Sequence, residues 1–267
     1  SGETLGGFPM VKGLDIFRDH FRQFEGFFTL IGGAACVEWF DAEQMEFRAT
    51  DDLDIVLMIE VLNQDFIAAI RAFVKEGEYE IRERSEGTPI LYRFAKPARE
   101  DFPVKLEFCS RSTEGFELAA GQEVIPVIVE PGHHSLSAIL LDNAYYELIQ
   151  AHHDERDGLW VANINSLIPL KAYAWLRLTK ARDEGKAVDA KNINKHRGDV
   201  FRLAATIPST PGPVLAPSIA ADLASFLAAF PEDSPEWSDI LKSIKATVGT
   251  TLPPSTLRSA IQNYFQL

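Results

Sequence analysis

Absences narrow the field first. The 267-residue chain has two cysteines, Cys36 and Cys109, both in apolar segments that read as core, and a reducing cytoplasm is the simpler setting for them. No stretch reaches the roughly 18 consecutive apolar residues of a membrane span, so no membrane partner is expected. Gly-x-Ser-x-Gly, P-loop, GxGxxG and kinase signatures are missing, which removes those reaction classes. His133-His134 and His152-His153-Asp154-Glu155 lack the i, i+4 spacing of a helical zinc motif, and the cysteines are not spaced as zinc ligands. The chain opens on Ser1-Gly2 without Met or a basic-then-apolar stretch, and reads as a preparation remnant rather than a signal peptide.

Positive charge is also scarce. Lys and Arg number 26 against 39 Asp and Glu, a net charge of −13, and a surface this acidic is poorly suited to coating long nucleic acid. Basic residues concentrate between Lys171 and Arg202, which leaves room for a local groove.

What is present centres on residues 27–59, FFTLIGGAACVEWFDAEQMEFRATDDLDIVLMI. An apolar strand runs into Gly32-Gly33, a helix-compatible segment follows, and a second strand opens with Asp51, Asp52 and Asp54. Alternate residues of a strand share a face, so Asp52 and Asp54 are expected side by side at the start of a buried strand. Two such carboxylates repel unless a cation sits between them, and Mg²⁺ or Mn²⁺ is the usual partner of oxygen ligands. The Gly32-Gly33 turn can bring backbone N–H groups and a helix N-terminus up to a phosphate.

The pattern Gly32-Gly33-Ala34-Ala35 followed by Arg48-x-Thr50-x-Asp52-x-Asp54 resembles the nucleotidyltransferase superfamily, and most of all the AbiEii-type enzymes that include toxins of type IV toxin–antitoxin systems. The resemblance implies a third carboxylate from a later strand, for which Glu107 in Val104-Lys105-Leu106-Glu107-Phe108 is the candidate, Glu standing where Asp is commoner. It implies that Lys171, in Leu170-Lys171-Ala172-Tyr173-Ala174-Trp175, meets nucleotide phosphates. It also implies a following acidic residue that orients this lysine or acts as base. Asp199, in Lys195-His196-Arg197-Gly198-Asp199, matches, and Asp189 competes. Arg48 and Thr50 are weaker nucleotide contacts, and Thr29 weaker still. An NTP substrate, an RNA (tRNA) or protein acceptor and an antitoxin protein partner belong to the same implication.

In chain order, 11–25 has the period of an amphipathic helix, and 63–77 repeats it with Phe66, Ile67, Ile70, Phe73 and Val74 on one face. Short β-rich runs follow at 79–84 and 89–96, joined by Ser85-Glu86-Gly87-Thr88, then at 104–110 and 123–129. Residues 143–153 read as helix and 158–161 as a short strand. Helices are expected from an Asn165-Ser166 cap to about 184, and over 188–205, 218–230, 235–247 and 255–265, with a Pro-rich connection at 208–217.

The sequence thus predicts an α+β protein: a nucleotidyltransferase-like mixed sheet of about five or six strands with flanking helices, then a helical C-terminal domain. The division is placed at Pro131-Gly132, giving a catalytic domain over 1–131 and a helical domain over 132–267, with the nucleotide between them. The activity expected is metal-dependent transfer of a nucleoside monophosphate. The alternatives are a catalytically silent nucleotide-binding or regulatory module on the same fold, and an aminoglycoside-type transferase that differs in its acceptor pocket.

Overall fold

The computed structural model of the protein describes residues 11–83, 89–111, 124–128 and 134–267. The expected turn at Ser85–Thr88, the Pro131-Gly132 division and His133 lie outside the described residues. The chain forms two compact units, one of residues up to Asp41 with Phe47–Ala162, the other of Ala42–Glu46 with Asn163–Leu267. The change of unit after the sheet therefore falls between Ala162 and Asn163, later than the expected division, because strands beyond residue 131 pair back into the sheet.

The first unit runs α1 (Leu14–Phe21), β1 (Phe28–Ile31), α2 (Gly32–Ala42), β2 (Asp52–Leu57), α3 (Gln64–Glu76), β3 (Glu80–Glu83), β4 (Pro89–Ala95), β5 (Lys105–Arg111), β6 (Val124–Ile128), β7 (His134–Leu141), α4 (Asn143–Ala151), β8 (His153–Arg156) and β9 (Leu159–Ala162). The described strands form one mixed sheet of nine, larger than the five or six expected, in the order β3-β4-β5-β2-β1-β9-β8. β2 occupies one side of β5 in parallel. The other side is shared, by antiparallel β4 along Lys105–Glu107 and by parallel β7 along Cys109–Arg111; β6 pairs with β7.

Alternation gives the sheet two unlike faces. Leu53, Ile55 and Leu57 of β2 are fully buried on one of them, where Phe28 also lies, opposite Leu57. Phe17 and Phe21 from α1 and Phe66 and Phe73 from α3 close over Phe28 with ring centroids 4.5–5.8 Å apart. Each buried phenylalanine contributes about 1.5–3 kcal/mol of transfer free energy, so this cluster fixes the register of the strands beneath it. The other face receives Asp52 and Asp54.

The second unit contains α5 (Ile164–Asp183), α6 (Ala190–Ala204), α7 (Pro217–Ala228), α8 (Trp237–Val248) and α9 (Pro254–Phe265). The cap of α5 is Asn163, whose side chain accepts from the Asn165 amide, two residues before the expected cap. Trp175, Phe201, Phe226, Phe230 and Trp237 pack as one aromatic cluster, with Phe201 and Trp237 4.6 Å apart. No helix among the described residues is long and apolar enough to cross a membrane.

Candidate active site

Three carboxylates reach the polar face because two strands enter the sheet from the same end. β2 and β5 are parallel, with Asp52 opposite Lys105 and Asp54 opposite Glu107. Side chains of direct partners leave on the same side, so Asp52, Asp54, Lys105 and Glu107 form a square of two rows. β1 is antiparallel to β2 and delivers Ile31 opposite Asp54, which puts the Gly32 corner against the same carboxylate.

Gly32 starts α2 with φ +69°, a left-handed conformation that favours glycine, and a Cβ there would lie 2.0 Å from Asp54 Oδ2. Asp54 is thus seated against the first residue of a helix, where the positive end of the helix dipole favours an anion. At Gly33 a Cβ would lie 2.8 Å from Thr50 Oγ1 and 3.6 Å from an Arg48 guanidinium nitrogen. Thr50 is buried, and Arg48 lies over the Phe47 ring at 5.1 Å. The two glycines, Arg48, Thr50 and Asp54 therefore meet in one corner. The group nearest Gly32 is a carboxylate, so the first residue of the turn does not present an open cradle for phosphate as expected; the Arg48 side of Gly33 keeps a cation. Thr29 sits on the same face of β1, fully buried, its hydroxyl without a hydrogen-bond partner among the described residues.

Sequence reasoning missed the two cations of this face. Lys105 Nζ is 2.9 Å from Asp52 Oδ2 and 3.4 Å from Glu107 Oε2. Arg93 of β4, opposite Glu107 in the ladder, donates from Nε at 3.1 Å and from a terminal nitrogen at 3.0 Å to the two Glu107 oxygens. The signal was present: Lys105 stands two residues before Glu107 in an alternating run. Burial works against the Lys105 ammonium, but its hydrogen bond to Asp52 and the charges of Glu107, Asp52 and Asp54 outweigh that and raise its pKa above the ordinary lysine value. The same field is felt beneath: burial, then Asp54 and Glu107, push the Cys109 thiol well up.

Two carboxylates about 5 Å apart repel by roughly 3 kcal/mol at an effective dielectric near 20, so this face needs positive charge to persist. Three carboxylates stand against Lys105 and Arg93. Among the described residues no three Asp, Glu, His or Cys side chains already converge as a ligand set, and Lys105 stands between Asp52 and Glu107. In kind and in placement the donors still fit a hard divalent ion: they are all oxygens, on neighbouring strands, around a corner that only glycine permits.

The remaining predicted residues lie in the helical unit. Lys171 of α5 and Asp199 of α6 form a buried ion pair, Nζ to Oδ2 at 2.9 Å, with side chains 4% and 0% exposed. Arg202 takes the other Asp199 oxygen at 2.8 Å. Fully buried and holding two cations, Asp199 is placed to orient Lys171 rather than to take a proton from a hydroxyl. Asp189 caps α6, accepting from the Lys191 amide at 2.9 Å, which accounts for it without a chemical role. The His152–Glu155 stretch lies in and around β8: His153 stacks on Trp160 at 4.1 Å, Asp154 pairs with Arg156, and Glu155 accepts from the Gly158 amide.

No family model, curated protein or solved structure matches the chain.

Proposed function

We propose that the protein is a metal-dependent nucleotidyltransferase that moves a nucleoside monophosphate from an NTP to a hydroxyl on RNA or protein, in the manner of a toxin restrained by an antitoxin protein. One observation carries this reading: Asp52, Asp54 and Glu107, from two parallel strands, share a sheet face beside a glycine-led helix start. In the proposal Asp52, Asp54 and Glu107 hold Mg²⁺ or Mn²⁺. Such an ion, when bound, stabilises charge developing at the α-phosphate and lowers the pKa of an attacking hydroxyl.

The chain's own groups do the rest. The start of α2 seats Asp54, and Arg93 fixes both oxygens of Glu107, so neither carboxylate has to be ordered when substrate arrives. Arg48, beside Gly33, meets a phosphate oxygen, and Thr50 packs behind it.

The test is incubation with each labelled NTP, Mg²⁺ or Mn²⁺, and total RNA, cell protein or an aminoglycoside. Pyrophosphate release with label in RNA or protein supports the reading, and Asp54→Asn must abolish both. Label in the aminoglycoside arm alone reassigns the acceptor class. A second reading, a nucleotide-holding module without turnover, is favoured by Lys105 and Arg93 occupying Glu107; calorimetric NTP binding without pyrophosphate under every acceptor selects it.

A further inference from the structure

The acidic face already carries a cation of its own. Lys105 bridges two of the three carboxylates, Nζ lying 2.9 Å from Asp52 and 3.4 Å from Glu107. It is no surface lysine folding over by chance. Its backbone is the register partner of Asp52, its side chain rises on the same side as the three acids, and 29% of that side chain is exposed.

An ammonium and a divalent ion compete for these oxygens. The Lys105 ammonium lies between Asp52 and Glu107, where an ion held by both would sit, and two cations at contact distance repel. Arg93 is differently placed: it grips Glu107 from the neighbouring strand through two near-parallel N–H···O bonds, a geometry that orders the carboxylate while leaving lone pairs on the far side.

We infer that Lys105 is the resident counter-ion of the site, and that a divalent cation enters by displacing its ammonium from Asp52 and Glu107. The inference rests on reading the three carboxylates as a cation site. Displacement also frees a positive charge on a flexible stem beside the incoming ion, so metal loading and the capture of an anion such as a triphosphate become coupled. The site is therefore guarded: without a divalent ion its best-placed cation is engaged.

The experiment is calorimetric titration of MnCl₂ into the full chain and into Lys105→Met, Lys105→Arg and Asp54→Asn, each first checked for native circular dichroism. Lys105→Met is expected to bind Mn²⁺ about tenfold more tightly than the parent, the scale of one competing charge removed. Lys105→Arg, which keeps the charge, stays within roughly threefold of it, and Asp54→Asn loses binding. Equal or weaker binding by Lys105→Met while Asp54→Asn loses it overturns the displacement and leaves the cation site standing. No binding by any form overturns both. A measurement on the unsubstituted chain does not depend on variant folding: amine acetylation followed by peptide mass spectrometry. Saturating Mn²⁺ should speed labelling of Lys105 several-fold relative to the exposed Lys180; an unchanged ratio overturns the displacement.

Discussion

Asp54 and Glu107 are direct partners across the parallel ladder of β2 and β5, and each is held from outside that ladder by a different device. Asp54 rests against the Gly32 start of α2, and Glu107 is gripped at both oxygens by Arg93. Neither depends on the other for its position, so the two can be perturbed separately.

Gly32→Ala tests the first device. An alanine at φ +69° is strained by about 1–2 kcal/mol, and its Cβ, 2.0 Å from Asp54 Oδ2, must also push that carboxylate away. The variant should lose stability by at least that amount in urea titration and bind Mn²⁺ more weakly. An unchanged urea midpoint with unchanged Mn²⁺ affinity would refute the close approach.

In the helical unit the order of two variants is informative. Asp199→Ala removes the carboxylate that Lys171 and Arg202 share, and breaking a buried pair this way costs about 3–5 kcal/mol. Lys171→Met leaves Asp199 its bond to Arg202 and should cost less. Chemical denaturation followed by tryptophan fluorescence measures both, and the reverse order would contradict the two-cation arrangement.

Glu38 of α2 gives a pH dependence. Burial raises its pKa; Arg18 opposes, Asp41 adds to the rise, Arg156 opposes and Asp15 adds. A carboxyl raised in the fold contributes stability that is complete below its unfolded value of 4.5 and is lost as pH climbs through the folded value. Glu38→Gln, which carries no charge to bury, should therefore melt higher than the parent at neutral pH in a calorimetric scan. The gain should vanish below pH 4.5, where the parent glutamate is itself protonated. A gain that persists in acid would point to another cause.

Cys36 and Cys109 are both buried and neither is in a disulfide. With the Cys109 thiol also pushed up by burial and by the negative charges of Asp54 and Glu107, neither should react with a disulfide reagent at mildly alkaline pH while the chain is folded. Both should react after addition of guanidinium. Rapid native labelling of Cys109 would mean the polar face is open down to the strand backbone.

What was readable in the sequence follows the strength of local pattern. Asp52 and Asp54 interrupt an apolar run at alternate positions, and that period alone put them on one face. Glu107 fell into line because Val104–Phe108 alternates too. The polar strand His153–Arg156 has no β-forming residues to announce it. It exists as the outer half of a hairpin with β9, turned by Asp157 and Gly158, both with positive φ; the Asp-Gly pair before Leu159-Trp160-Val161 was the available signal. β7 passed unread because Ser and His dilute its opening. Lys105 and Arg93 escaped notice because a basic residue in a strand reads as solvated surface until its partners in the neighbouring strands are known. Lys171 and Asp199 lie 28 positions apart on two helices; the resemblance offered Asp199 as a residue that orients the lysine but left Asp189 competing, and only packing shows which of the two it meets.

The unlike faces of the sheet separate two kinds of evolutionary freedom. Phenylalanine packing against α1 and α3 holds the strands in register from one side, and the charged groups of the other side take no part in that layer. Descendants of such a scaffold can exchange one basic residue of the polar face for another and acquire new preferences while the carboxylates keep their counter-charge, whereas a change in the aromatic layer disturbs the whole molecule at once.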